Sequence, residues 1–183
     1  IREISELRME QSMKAAVRLG VKGVVFHTNY SPMLSGAEYD KRAVDMTTQY
    51  VECLLKRYPD TEIYLENMFD TDPDIMMAMS ERLCAYGNYG VCFDYAHASI
   101  SHTPMEIWVT GLAPYIKHVH INDNDFRKDL HLAVGDGNIN WSQFMTYREK
   151  YFPDSAVLIE TTSPENQRRS LEYLERNYKG FLS

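Results

Sequence analysis

Cysteine is scarce in this chain of 183 residues, basic charge is outnumbered, and no apolar run approaches the length of a membrane span. The three cysteines, Cys53, Cys84 and Cys92, form no CxxC pair. That excludes a dense disulfide framework and a thiolate zinc ribbon, and makes a reducing cytoplasm the expected compartment. A bilayer-spanning helix needs roughly 20 consecutive apolar residues, and none occurs; nor does a basic segment lead into an apolar one as in a secretory signal. We therefore expect no membrane association. Lys and Arg number 19 against 26 Asp and Glu, a formal charge of −7. Such a molecule repels a phosphate backbone, which disfavours a nucleic-acid partner. Linkers, low-complexity segments and repeats are missing as well, so residues 1–183 read as one domain. The chain opens at Ile1 without an initiator Met and inside an apparent helix, so its true start is expected upstream.

What is present is a rhythm. Apolar runs suited to buried strands recur as "GVVFH" (23–27), "IYLEN" (63–67), "GVCFD" (90–94), "IKHVHIND" (116–123) and "AVLIET" (156–161). Helical stretches lie between them. One spans roughly 5–19 with Leu7, Met13, Ala16, Val17 and Leu19 as its apolar stripe, and one spans 37–57 with Val44, Val51, Leu54 and Leu55. Asp72-Pro73, Thr103-Pro104 and Ser163-Pro164 each offer a cap followed by proline at the first helical position. The methionine cluster "DIMMAMS" fits the core-facing stripe of a helix. Strict alternation of helix and strand implies parallel strands joined by right-handed crossovers, in an open doubly wound sheet or a barrel.

Each strand closes on a polar residue: His27, Glu66, Asp94, His120 and Glu160. Side chains alternate along a strand, so Ile63 and Leu65 oppose Glu66, Phe93 opposes Asp94, and Val157 and Ile159 oppose Glu160. In a barrel the apolar set packs under the helices and the polar ends converge at the C-terminal mouth. In an open sheet they are strung along an edge. Convergence favours the barrel. Three carboxylates brought together repel one another unless a cation holds them. Glu66, Asp94, His120 and Glu160 supply three hard oxygens and one imidazole, a set suited to a divalent metal such as Mn, Mg, Co or Zn. Taken singly, each of these residues is equally at home capping a turn.

The stretch "HINDNDFRKDLHLAVGDG" (120–137) gathers further metal-capable side chains, among them Asp123, Asp129 and His131. Asp94-Tyr-Ala-His97 puts a histidine at the start of the loop after its strand. Asp129 and His131, two apart, can face one side of an extended segment and join His97 as a second metal site, or bond each other and a substrate hydroxyl instead. Arg127, in the one basic cluster near the site, is a candidate substrate contact. "GDGN" (135–138) lacks the spacing of a phosphate loop and reads as a turn into a helix near Trp141. His118 shares the face of His120 and reads as a hydrogen-bonded core histidine, whereas His102 reads as surface.

In the order and spacing of "VVFH", "IYLEN", "CFDYAHA", "HVHINDN", "DLHLAVGDGNINW" and "LIETT", nearly the whole chain resembles the xylose isomerase-like TIM-barrel superfamily. That group joins sugar isomerases and epimerases with endonuclease IV-type abasic-site nucleases. The resemblance implies an α/β fold, a partial TIM barrel whose five strands match the fourth to eighth of eight. The chain would be the C-terminal portion, completed by a missing N-terminal segment or by a second copy. It implies Glu66, Asp94, His120 and Glu160 as a shared metal set, with Glu66 and Glu160 doubling as acid and base and His97 touching substrate. The nuclease branch adds His27, His97, Asp129 and His131 to build a zinc cluster.

Two enzymatic readings and one binding reading follow. The first is a metal-dependent sugar or sugar-phosphate isomerase or epimerase working by proton transfer next to a carbonyl. A carboxylate base is weak against such a carbon acid, so a cation must carry much of the catalysis. The second is zinc-dependent phosphodiester hydrolysis at abasic sites, opposed by the net charge and by the absence of a basic, aromatic-bearing loop. The third is a remnant that binds metal or sugar without turning it over.

Overall fold

The computed structural model describes residues 2–181. Five parallel strands, β1 (Gly23–His27), β2 (Glu62–Glu66), β3 (Tyr89–Asp94), β4 (Ile116–Ile121) and β5 (Ala156–Ile159), pair in sequence order to form a curled half-barrel. The helices are α1 (Arg2–Leu19), α2 (Ala37–Arg57), α3 (Asp74–Leu83), α4 (Tyr95–Ile100), α5 (Met105–Leu112), α6 (Trp141–Tyr151) and α7 (Pro164–Asn177). Consecutive strands being neighbours is the pattern of a singly wound barrel; a doubly wound sheet reverses order midway. None of the helices among the described residues is long and apolar enough to cross a membrane.

Strand alternation separates two faces. Ile63, Leu65, Val91, Phe93, Val119 and Ile121 are wholly buried beneath the helices. There they meet Val51 and Leu54 of α2, Met76 and Met79 of α3, and Trp108 of α5 in one continuous core. The α2 stripe is buried as its spacing implies, and Met76 and Met79 are core residues. The α1 stripe is not. Only Met13 and Ala16 are buried, while Leu7, Val17 and Leu19 stand exposed. The cause is position: α1 flanks the edge strand β1, and its main contacts are with β1 and α2.

Two starts differ from their sequence pattern. Asp72 Oδ1 accepts the Asp74 N–H (3.1 Å), but α3 begins at Asp74, so Pro73 stands at the cap position rather than inside the helix. Thr103 caps nothing; its hydroxyl donates across to the Thr71 carbonyl at 2.8 Å, tying two loops at the mouth together. Ser163 does cap α7, accepting from Asn166 N at 3.1 Å. "GDGN" forms the turn before α6, with Gly135 at φ 93°. A side chain at Gly137 would collide with the Asn124 carbonyl, its Cβ falling 2.4 Å away.

Candidate metal centre and active site

The residues at the ends of β2, β3 and β4, with Glu160 just past β5, meet at one point. His120 directs its Nδ1–H at Glu66 Oε1 (2.8 Å), with Glu160 Oε2 at 3.0 Å. One ligand atom each from Glu66, Asp94, His120 and Glu160 lies within 4.8 Å of the others. Glu66, Asp94 and His120 are buried; the Glu160 side chain is 40% exposed and forms the open side. His27, at the end of β1, sets its Nε2 3.2 Å from Glu66 Oε2 and is itself exposed.

Asp94 has two tasks. Its Oδ1 accepts the His97 backbone N–H at 2.7 Å and so caps α4. His97 therefore belongs to the first turn of a short helix, not to a loop. Six residues of helix are too few to show a period, which is why the element was not readable from the sequence. The other oxygen, Oδ2, is buried with no hydrogen-bond partner among the described residues. An orphaned carboxylate oxygen costs ~1–3 kcal/mol or more. It lies within a group of three carboxylates, so a divalent cation answers both the orphan and the mutual repulsion. The donor set of three oxygens and one imidazole fits such an ion.

Electrostatics agree with this arrangement. Burial pushes the Asp94 carboxyl up to about 6 despite His97 nearby. His120 is pulled down by burial but overcome by Cys92, Glu160 and Glu66, and is raised to about 12. The His120 hydrogen bond holds the Glu160 carboxyl below its usual range. The cation-free chain thus keeps an imidazolium where a metal-loaded one would need a neutral ring.

A second cluster adjoins the first. Asp129 Oδ2 lies between His97 Nε2 (3.3 Å) and His131 Nε2 (3.1 Å), and these three residues also bring ligand atoms within 4.8 Å. The other nitrogens of both rings are fixed by backbone. His97 Nδ1 donates to the Asn67 carbonyl at 2.9 Å, and His131 Nδ1 to that of Glu160 at 3.1 Å. His131 adopts φ 46° to reach this position. Burial opposes charge on His97, but Asp129 and Asp94 raise it to about 9. Asp129 is disfavoured as an anion by burial, yet the His97 bond brings it below the ordinary range. A cavity of about 450 Å³ opens beside this cluster, bordered by Asp70, His97, Ser101, His102, Arg127 and Asp129. Arg127 is exposed on its rim, its backbone N–H bonded to Asp125 Oδ1 at 2.9 Å.

Residues 2–177 match the family model of the xylose isomerase-like TIM barrel. The chain belongs to that family. Its similarity reaches an uncharacterized protein of Methanocaldococcus jannaschii, 25% identical over 96% of this chain, which spans 62% of that relative's length. Among solved structures, a D-tagatose 3-epimerase-like protein superposes with a TM-score of 0.79 at 25% identity, over 96% of this chain and 68% of the other. A Thermus thermophilus protein soaked with zinc chloride gives 0.77 at 26%, over the same shares. In xylose isomerase-like terms, the strand-end cluster described above sits at the C-terminal mouth of the barrel.

Several site residues escaped the sequence reading. Asn67 donates to the Asp94 carbonyl and accepts the Asp94 N–H, both at 2.9 Å, which locks the ends of β2 and β3 together. Its position directly after Glu66 was the only available signal. Asp123 is wholly buried and no ligand: it accepts from the N–H groups of Asn124, Gly135 and Ile139 and from Trp141 Nε1. His118 is packed rather than hydrogen-bonded, stacked on Tyr64 at 5.4 Å and edge-on to His120 at 5.2 Å. His102 is exposed, though it borders the cavity.

Proposed function

We propose that this chain carries the acid–base machinery of a metal-dependent isomerase or epimerase acting on a sugar or sugar phosphate. The reaction is proton transfer at the carbon next to the carbonyl. The observation that carries this reading is the pairing of Glu66 and Glu160 about one imidazole: they come from β2 and beyond β5, with β3 and β4 between, and Nδ1 of His120 reaches both. The likeness to a D-tagatose 3-epimerase-like protein at 25% identity supports it.

Glu66, Asp94, His120 and Glu160 would hold the cation, whose chemistry when bound is to polarise the substrate carbonyl. Glu160, partly open to solvent, is placed to take or return the proton from the accessible side. Glu66 is buried, its two oxygens oriented by His120 and His27, and serves as the opposing group. Asp94 fixes α4 and with it His97, which meets substrate together with Asp129 and Arg127 around the adjoining cavity, while His131 bonds Asp129.

The second reading, zinc-dependent hydrolysis of a phosphodiester at an abasic site, draws on the His97, Asp129 and His131 cluster. One experiment separates the two. Candidate ketoses are incubated with the chain and Mn²⁺ in D₂O and followed by mass spectrometry. Deuterium should enter beside the carbonyl, and should fail to enter with Glu66→Gln or Glu160→Gln. Exchange that survives both substitutions rules out the two-carboxylate mechanism. Cleavage of an abasic-site duplex without sugar exchange hands the function to the hydrolase.

A further inference from the structure

The proposed reaction leaves Cys92 and His118 unused. Cys92 is wholly buried on β3, with His118 opposite it on β4 as its register partner. Strand alternation gives Cys92 the face of Asp94, and His118 the face of His120, one step deeper from the mouth. A ligand atom from each of Cys92, His118 and His120 lies within 4.8 Å of the others. The His118 ring is braced between Tyr64 and His120 and is only partly buried, so it provides the approach from the inner side of the half-barrel.

We propose that Cys92, His118 and His120 form a second, thiophilic cation site beneath the carboxylate site, taking an ion such as Zn²⁺, Cd²⁺ or Co²⁺. One sulfur and two imidazole nitrogens select softer ions, where the upper set of three carboxylates and one imidazole selects harder ones. Ligands around a tetrahedral ion of this kind stand roughly 3–4 Å apart, so closing the present separation takes small rotamer changes. Three protein ligands leave a coordination position open toward the partly exposed side of His118.

The two sites are coupled through one ring. His120 directs Nδ1 at Glu66 and Glu160, which leaves Nε2 for the lower site. Two cations sharing an imidazole repel each other at short range, so occupancy of either weakens the other. This inference does not depend on the sugar reaction, because ligand binding alone reports it.

The exposed Cys53 and Cys84 would confuse a thiolate signal, so the test uses a Cys53→Ser/Cys84→Ser background with its fold checked by circular dichroism. Titration with Co²⁺ should raise a thiolate-to-cobalt charge-transfer absorption that saturates at one ion. The band should persist with Glu160→Gln, vanish with Cys92→Ser, and require severalfold more Co²⁺ with His118→Gln. Cd²⁺ should weaken Mn²⁺ binding, followed by Mn²⁺ resonance, in the background chain and not in Cys92→Ser. Saturating Co²⁺ binding to the folded background without a thiolate band overturns the proposal. So does a band that survives Cys92→Ser. Should Cys92→Ser fail to fold, the His118→Gln titration decides.

Discussion

At the residue scale, the arrangement of protons around His120 governs what the site can do. Its Nδ1–H points at two carboxylates, and a cation that takes those oxygens and the ring nitrogen must expel that proton. The folded pKa is raised, so the proton is present at neutral pH and competes with the metal. Metal affinity should therefore rise with pH, by about tenfold per unit for one released proton. Calorimetry in buffers of different ionisation heat would count it; an affinity flat between about pH 6 and 8 would contradict the picture. The two glutamates should stand apart from the second cluster in kinetics. Gln keeps shape and one oxygen but takes no proton, so Glu66→Gln and Glu160→Gln should each lower kcat by roughly 10²- to 10⁴-fold. Asp129→Asn and His131→Asn should act mainly on KM. Equal kcat losses across all four would assign Asp129 and His131 to the chemistry as well.

At the scale of elements, the strand ends were legible because a period of two leaves a polar residue conspicuous at the close of an apolar run. Glu66, Asp94, His120 and Glu160 could be read that way, and the structure brings them together. What could not be read depends on partners far along the chain. Asp123 resembled a ligand in a loop rich in His and Asp, yet its bonds run to Gly135, Ile139 and Trp141, 12 to 18 residues on. Asn67 reads only as the close of the strand run "IYLEN", although its amide spans 27 positions to the Asp94 backbone. These bonds hold the mouth in shape. Asp123→Ala strands four donors, the N–H groups of Asn124, Gly135 and Ile139 and Trp141 Nε1, without their acceptor and should cost about 3–5 kcal/mol, a large share of a typical fold's stability. Asn67→Ala should cost less, about 1–3 kcal/mol. Urea unfolding measures both. A loss below about 1 kcal/mol for Asp123→Ala would mean that water replaces the carboxylate easily.

For the whole molecule, the controlling fact is that a barrel wall of five strands has two ends. Among the described residues β1 and β5 each pair with a strand on one side only, which leaves their outer edges without a strand partner. On the inner face β5 presents Ala156 and Leu158 beside His118 and His120 of β4, and Leu158 is 45% exposed. Closed barrels have no such edges, and natural sheets shield theirs with charge, bulges or cover. β5 (Ala156–Ile159) has no charged residue among its four and runs directly into Glu160. The 183-residue chain by itself should therefore self-associate, through strand edges and the exposed Leu158, with copies supplying the cover that each lacks. Sedimentation velocity across a concentration series should show mass rising with concentration. Leu158→Lys places a charge on that face without touching the strand's backbone bonds, and should shift the distribution toward monomer while leaving the helical signal intact. The Thermus structure is matched over 68% of its length, so a remainder of that chain has no counterpart here. Adding a synthetic segment homologous to that remainder should compete with self-association as Leu158→Lys does. A wild-type chain that stays monomeric at every concentration, with amides of β1 and β5 protected from hydrogen exchange on both sides, would mean that the edges are already covered from within.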